Sequence, residues 1–255
     1  MSKITTEDFI SKYLGQKNYL DKEKHLEIKI GQLEFELKLS DDDSELLLRS
    51  RYVGVSKLLK EKFETEWHKA AWKPEYSYIT FSLGLPDHPV VLKPDVCQHI
   101  MPGQDTLAYC SIPLSIGLAI NEVNVAEYLL TVLSKTWFGE PHEGILGYFL
   151  KSQVLSSKTK VKMPPTHAIC TIEIENRSTE VLRFDRLCLR TEYMGLFSSP
   201  EDKALHTSVC RMRYIDKDKM SKINYVAPAL KGSVQITPPR MKSNQGLIFK
   251  SFKTI

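Results

Sequence analysis

The sequence lacks a long apolar run: no segment approaches the roughly 18 consecutive apolar residues of a membrane-spanning helix. The first residues, MSKITTEDFISKYLG, have neither the apolar centre nor the small-residue cleavage site of a secretory signal. There are only five cysteines, no two of them in a C-x-x-C pair, and an odd number does not suit a disulfide framework. We therefore predict a cytoplasmic protein with reduced thiols, in which Cys110 and Cys170 behave as small buried hydrophobic residues.

Several catalytic and ligand-binding motifs are also missing. The chain has no G-x-S-x-G nucleophile motif, no G-x-G-x-x-G, no P-loop lysine in its glycine-rich stretch, and no cysteine in a recognised protease context. The acidic turn SDDDSE is followed by three leucines where a calcium loop needs oxygen ligands and a glycine. These absences exclude the motif-bearing forms of those classes and leave open whether the protein is an enzyme.

The composition is that of a folded globular protein, with 42% hydrophobic and 26% charged residues. Its net charge of +4 is unevenly divided: residues 1–150 carry six more acidic than basic residues, whereas residues 151–255 carry ten more basic than acidic ones. A basic half can indicate nucleic acid or an anionic membrane surface as a partner. The basic residues are interspersed through strand-like segments, which favours the simpler interpretation that the two halves attract each other.

Apolar residues alternate with polar ones along most of the chain, and this period of two predicts β-strands. The pattern begins at His25, pauses at Gly31-Gln32 and resumes at Leu33, and short strand-like segments continue to the end. Two short helices are also predicted, one capped by Thr5 and ending near Gly15, the other covering KLLKEKFETEWHK after Ser56. The fold class is therefore mainly β, of β-sandwich type, either one continuous domain or two packed β domains, with one or two short helices.

The best candidate domain boundary is the polar segment SSKTKVKMPP. It divides the chain into an amino-terminal β-rich region with short helices (residues 1–163) and a carboxy-terminal β-sandwich-like region (residues 164–255). After it, two strands with alternating apolar and polar residues lie on either side of the turn ENRST. In the second strand, the apolar residues change from even to odd positions between Phe184 and Leu187. Such a change predicts a β-bulge or bend.

The stretch WFGEPHEGILGYFLKS concentrates aromatic residues, glycines, a proline and a histidine. A β-hairpin with a four- or five-residue loop accounts for these residue types. Because sandwiches present loops at their ends, we predict that this hairpin binds a ligand or partner. The residues predicted to make the contact are Trp137, Phe138, His142, Glu143 and Tyr148.

Cys97 and His99, in PDVCQHIMPG, are two residues apart, the closest Cys/His spacing in the sequence. On a strand their spacing puts both side chains on one face, where they could begin a zinc site with His142 or His88. The competing interpretation is an ordinary loop between sheets. A metal-dependent enzyme using Cys97, His99 and His142 is thus the alternative function, with zinc as its cofactor.

The order of the motifs PVVLKP, SIPLSIGLAI, WFGEPHEGILGYFLKS and IEIENRSTEVLRFDRLCL resembles an uncharacterised prokaryotic family, domain of unknown function 432. The resemblance covers roughly residues 85–240, judged from motif order. It implies no reaction, cofactor or catalytic residue.

The function predicted from these observations is a non-enzymatic binding or interaction module. Its partner would be a protein or a small molecule. The basic carboxy-terminal half supplies the alternative partners, nucleic acid or an anionic membrane. Exposed edge strands would also permit a homo-oligomer.

Overall fold

The structure is a computed structural model that describes residues 12–20, 25–54, 67–152, 154, 164–200, 204–215, 220–242 and 247–254. The regular secondary structure of the described part is almost wholly β-strand, which confirms the mainly β prediction. It contains no helix long and apolar enough to cross a membrane. The chain separates into two compact units, residues 1–84 with 114–132 and residues 85–113 with 133–255.

Both predicted helices fall largely outside the described residues. Residues 5–11 of the first and 55–66 of the second are not described. The second prediction was wrong at its end, because His68 and Lys69 belong to a strand. The predicted boundary at residues 163 and 164 stays a prediction, since residues 155–163 also lie outside the described part.

Unit 1 contains two antiparallel sheets. One has the order β1-β2-β3-β4 and the other β10-β9-β5. The strands are β1 (Leu26–Ile30), β2 (Leu33–Leu39), β3 (Glu45–Tyr52), β4 (His68–Ala71), β5 (Ile79–Gly84), β9 (Ser115–Ile120) and β10 (Val123–Leu129). The rings of Phe35 and Phe81, one from each sheet, lie 5.8 Å apart, and both residues are buried. Alternate apolar residues on β1, β2, β3, β5 and β9 therefore form the core of this unit, as the period of two predicts.

A two-residue turn fixes the register of the first hairpin. Gly31 has a φ of 58°, which glycine adopts readily and which the first position of a type II′ turn requires. Ile30 consequently pairs with Leu33, and Glu27 lies directly opposite Glu36. The charged residues of β1, β2 and β3 then share one face of the sheet.

Unit 2 contains a six-stranded and an eight-stranded sheet, both mixed. The six-stranded sheet has the order β11-β12-β6-β14-β21, with β7 also paired to β14. The eight-stranded sheet has the order β19-β15-β16-β13-β17-β18-β20, with β8 also paired to β13. The strands of the six-stranded sheet are β6 (Val90–Pro94), β7 (Gln98–Ile100), β11 (Ser134–Phe138), β12 (Ile145–Ser152), β14 (Leu182–Leu189) and β21 (Phe252–Thr254). Those of the eight-stranded sheet are β8 (Asp105–Pro113), β13 (His167–Asn176), β15 (Leu196–Ser198), β16 (Leu205–Thr207), β17 (Val209–Tyr214), β18 (Met220–Val226), β19 (Val234–Thr237) and β20 (Leu247–Lys250).

The two sheets of unit 2 meet through aromatic side chains. The Phe252 ring lies 4.8 Å from that of Phe184 in its own sheet and 5.9 Å from that of Tyr214 in the other. β14 is irregular between Phe184 and Arg186, which confirms the predicted bulge. β13 and β14 alternate as predicted, yet they lie in different sheets, so the ENRST segment connects the two sheets.

Candidate functional site

The predicted hairpin is present. β11 and β12 pair antiparallel from Ser134 opposite Phe149 to Phe138 opposite Ile145, which confirms the hairpin. Its loop, residues 139–144, has six residues and is longer than the predicted four or five. Hydrogen bonds close its loop: the backbone N–H of Gly144 donates to the Glu140 carbonyl at 2.7 Å, and that of Glu143 donates to the same oxygen at 3.2 Å.

The Trp137 side chain is fixed against this loop. Its indole N–H donates to the Glu140 carbonyl at 3.1 Å. The ring lies so close to Gly144 that an added Cβ there would be 2.2 Å from Trp137 Nε1. The loop and the tryptophan therefore hold each other in one conformation, although Trp137 is 48% exposed.

The two faces of the hairpin differ in exposure. Phe138 and Ile145 are opposite each other and pack with Val91 and Cys188 in a small apolar cluster. Trp137 and Leu146 are likewise opposite each other and so share the other face, where Leu146 is 42% exposed. The hairpin thus presents an exposed apolar pair on a strand that is anchored by its buried face.

Tyr148 extends this face toward two polar residues. Its hydroxyl donates to Asp87 Oδ1 at 2.8 Å, and its ring lies 5.5 Å from that of His88. His88 Nδ1 and Asp87 Oδ2 are 2.9 Å apart, an ion-pair contact without hydrogen-bond alignment. Burial acts to raise the pKa of Asp87, but the Tyr148 hydrogen bond and the charge of protonated His88 outweigh it and lower that pKa.

A second polar group lies next to His88. Thr191 donates a hydrogen bond from Oγ1 to the His88 carbonyl at 2.8 Å, and beside it Arg190 Nη1 is 3.6 Å from Glu192 Oε1. Burial raises the pKa of the Glu192 carboxyl more than the Arg190 charge lowers it. The Arg190 guanidinium lies over the Phe249 ring at 4.4 Å, which keeps the cation in a largely apolar setting.

The five predicted contact residues therefore differ in their exposure and surroundings. Trp137 is exposed, Tyr148 is half-buried, and Phe138 belongs to the core cluster. His142 and Glu143 are exposed at the tip, where Glu143 Oε2 is 3.1 Å from Lys250 Nζ of β20. Leu146, Asp87 and His88 complete the surface. A local pattern could have indicated Leu146 from its position opposite Trp137, but nothing in the sequence places residues 87 and 88 beside residue 148.

The structure does not bring the predicted zinc ligands together as one group. Cys97 is half-buried just before β7, His99 is exposed within that strand, and His142 lies at the hairpin tip. Among the described residues, one group of three metal-ligand side chains has ligand atoms within 4.8 Å of one another: His25, Glu27 and Glu36. Zinc at Cys97, His99 and His142 stays a prediction.

Comparison with known proteins gave one match. A family model described as a protein of unknown function (DUF432) matches residues 15–255, which confirms the resemblance found in the motif order. The extent predicted from the motifs, residues 85–240, was too short, since the match also covers the amino-terminal strands and Trp67. The motif comparison missed the amino-terminal strands because they show only generic strand alternation. No curated protein and no solved structure matched.

Proposed function

The chain belongs to the DUF432 family of proteins of unknown function, and we propose that it serves as a non-enzymatic interaction module that binds a protein strand at the β11–β12 hairpin. The observation that supports this is the exposed pair Trp137 and Leu146 on a hairpin whose other face is buried. Tryptophan and tyrosine are enriched at the energetic centres of protein interfaces. A side chain already fixed in the free protein also loses less conformational entropy on binding.

The position of β11 in its sheet favours a strand as the partner. In the part of the chain that the structure describes, β11 is the last strand of the six-stranded sheet. The edge of a sheet offers backbone N–H and C=O groups to an added strand, and side chains on the exposed face supply specificity. Ser134 and Lys135 on this strand are exposed.

We assign the partner strand to β11 of a second copy of the chain. Lys135 and Trp137 are two residues apart and point to the same face. If two copies pair antiparallel about Thr136, Lys135 of each copy lies opposite Trp137 of the other. Directly opposed Cβ atoms are about 5 Å apart in such a pair, which is close enough for a cation–π contact.

The test is sedimentation equilibrium of the full chain over a range of concentrations. We expect a monomer–dimer equilibrium that Trp137→Ala weakens by roughly tenfold or more and Lys135→Ala by a few fold. The double variant should lose less than the product of the two effects, because both substitutions remove the same contact. Leu107→Ala, which changes a 43% exposed side chain on β8, is the matched control and should not alter the equilibrium.

A single monomeric species at every concentration would refute self-pairing through β11. A dimer that both variants leave unchanged would place the interface elsewhere and refute the role of the hairpin. Salt-dependent binding of anionic vesicles or an oligonucleotide by a monomeric protein would instead support the basic half as the interaction surface. The double substitution of His142 and Glu143 tests whether the loop tip contributes.

A further inference from the structure

His25, Glu27 and Glu36 form a compact group on the charged face of the first sheet in unit 1. His25 directly precedes β1, and Glu27 lies within that strand. Glu36 lies directly opposite Glu27 on β2. One imidazole and two carboxylates from two paired strands thus converge, and their ligand atoms lie within 4.8 Å of one another.

The two carboxylates of this group face each other across the paired strands. Two carboxylates directly opposite each other on neighbouring strands repel. Arg49 donates a hydrogen bond from Nε to Glu36 Oε2, which satisfies one of the two carboxylates. Glu27 also interacts electrostatically with Arg49, which offsets part of this repulsion, and a metal ion bound to both carboxylates would offset the remainder.

Arg49 holds only one of the two carboxylate oxygens of Glu36, and the other oxygen faces His25. Its Oε1 is 3.8 Å from His25 Nε2, while Arg49 holds Oε2. The Arg49 guanidinium is in turn held over the Trp67 ring at 4.5 Å. Metal-ligating carboxylates are commonly oriented by such outer hydrogen bonds.

Space for further ligands lies beside the group. A cleft of about 300 Å³ lies beside it, and its charged lining residues are Glu27, Glu34, Glu36, Lys29, Arg49 and Arg51. Zinc with three protein ligands keeps a fourth position for water or another small ligand. A cleft of this size accommodates such a ligand.

We propose that His25, Glu27 and Glu36 bind one divalent transition-metal ion, with Zn²⁺ the ion that best suits one imidazole and two carboxylates. Imidazole nitrogen favours zinc over magnesium or calcium, and carboxylates complete zinc sites in proteins. Arg49 acts as a positioning residue for Glu36. This proposal concerns unit 1 alone and does not depend on the interaction proposed for the hairpin.

The test is calorimetric titration of the chelator-treated full chain with Zn²⁺ and, separately, with Mn²⁺. We expect one Zn²⁺ per chain, bound more tightly than Mn²⁺, and a rise in the melting temperature when zinc is in excess. Glu27→Gln and His25→Ala should each weaken zinc binding by tenfold or more. Arg49→Ala should weaken it as well, by roughly ten- to a hundredfold, as loss of an outer-shell partner does.

Glu45→Gln is the matched control, because Glu45 lies on the neighbouring strand β3 and pairs with Lys69 instead. It should leave zinc affinity unchanged. Far-ultraviolet circular dichroism of each variant establishes that it is folded before binding is compared. Absence of stoichiometric zinc binding, or full affinity in folded Glu27→Gln and His25→Ala, would overturn the proposal. Zinc binding lost only on substitution of Cys97 or His99 would overturn it too, in favour of the site predicted from the sequence.

Discussion

At the scale of single residues, the cysteines show how strongly burial governs reactivity. Four of the five are buried in strands, and all five are free thiols, as the sequence indicates. Burial raises the pKa of Cys188 to about 12, and it raises that of Cys210 well above the ordinary thiol value. The Cys170 thiol and burial together raise the pKa of Cys110. Because the thiolate is the reactive form, these side chains should be inert in the folded protein.

We predict that a soluble thiol reagent modifies only Cys97 in the folded protein. Cys97 is half-buried and lies outside the strands, whereas a thiol with a pKa of about 12 is ionised to roughly one part in ten thousand at pH 8. Peptide mass spectrometry after timed labelling would show one fast site and four sites that react only after unfolding in urea. Early modification of Cys110, Cys170, Cys188 or Cys210 in native buffer would contradict this.

The sequence could predict some residues of each candidate site and not others. Trp137 and Tyr148 were identifiable because aromatic residues flank a glycine- and proline-rich turn. The pairing of Glu27 with Glu36 was accessible too, since the two-residue turn at Gly31 fixes the register. The contact between Asp87 and Tyr148 was not, because it depends on parallel pairing of β12 with β6, and nothing local encodes that pairing.

At the scale of the element, the β11–β12 hairpin depends on the absence of a side chain at position 144. A Cβ there would lie 2.5 Å from Trp137 Cε2 and 2.8 Å from the Glu140 carbonyl oxygen. The backbone oxygen belongs to the closing hydrogen bonds of the loop, so only the tryptophan ring can move away. Any larger residue at 144 must therefore displace Trp137 from its hydrogen bond.

We predict that Gly144→Ala destabilises the protein by about 1–3 kcal/mol, the usual cost of overpacking a fixed contact. Urea unfolding followed by circular dichroism would measure it. In a Trp137→Ala background the same substitution should cost less, because the displaced ring is absent and only the Glu140 contact is left. Equal costs in the two backgrounds would show that the ring does not constrain Gly144.

The alternation of apolar residues predicted which face of each strand is buried, and it predicted the irregularity in β14. It could not predict which strands pair. β13 and β14 are adjacent in the sequence and alternate alike, yet β13 pairs with β8, β16 and β17 in one sheet and β14 with β6, β7 and β21 in the other. A period of two defines two faces of a strand but carries no information about its neighbours.

At the scale of the whole molecule, the units recombine distant parts of the chain. Residues 114–132 belong with residues 1–84, although residues 85–113 of unit 2 lie between them. A boundary drawn from composition, such as the one at residue 163, divides the chain once and cannot describe such an insertion. Charge totals have the same limit, because the net charge of each half of the sequence does not reveal cross-strand ion pairs such as Arg211 with Glu173 or Arg213 with Glu175.

The stability of the folded chain should depend on pH through a half-buried histidine. Burial lowers the pKa of His167, on β13, from 6.5 to about 4. The unfolded chain therefore binds a proton at this site at higher pH than the folded chain does. The stability contributed by the neutral folded form is complete above pH 6.5 and is lost as the pH falls from 6.5 toward 4. The pKa values of Glu36 and Glu175 are lowered mainly by hydrogen bonds from Arg49 and Arg213, so their contribution is lost only below about pH 4.5.

We predict that His167→Gln removes the part of this pH dependence that lies between pH 6.5 and pH 4.5. A shift of this size corresponds to at most about 3 kcal/mol, and the partial exposure of the side chain reduces it. Urea unfolding at pH 7, 6 and 5 would measure the free energy of unfolding for the natural protein, for His167→Gln and for the control His99→Gln, whose side chain is exposed. The control should follow the natural protein, while His167→Gln should lose stability less steeply as the pH falls. The same pH dependence of the free energy of unfolding in all three proteins would mean that His167 is protonated equally in the folded and unfolded chains. Burial would then not disfavour its imidazolium form.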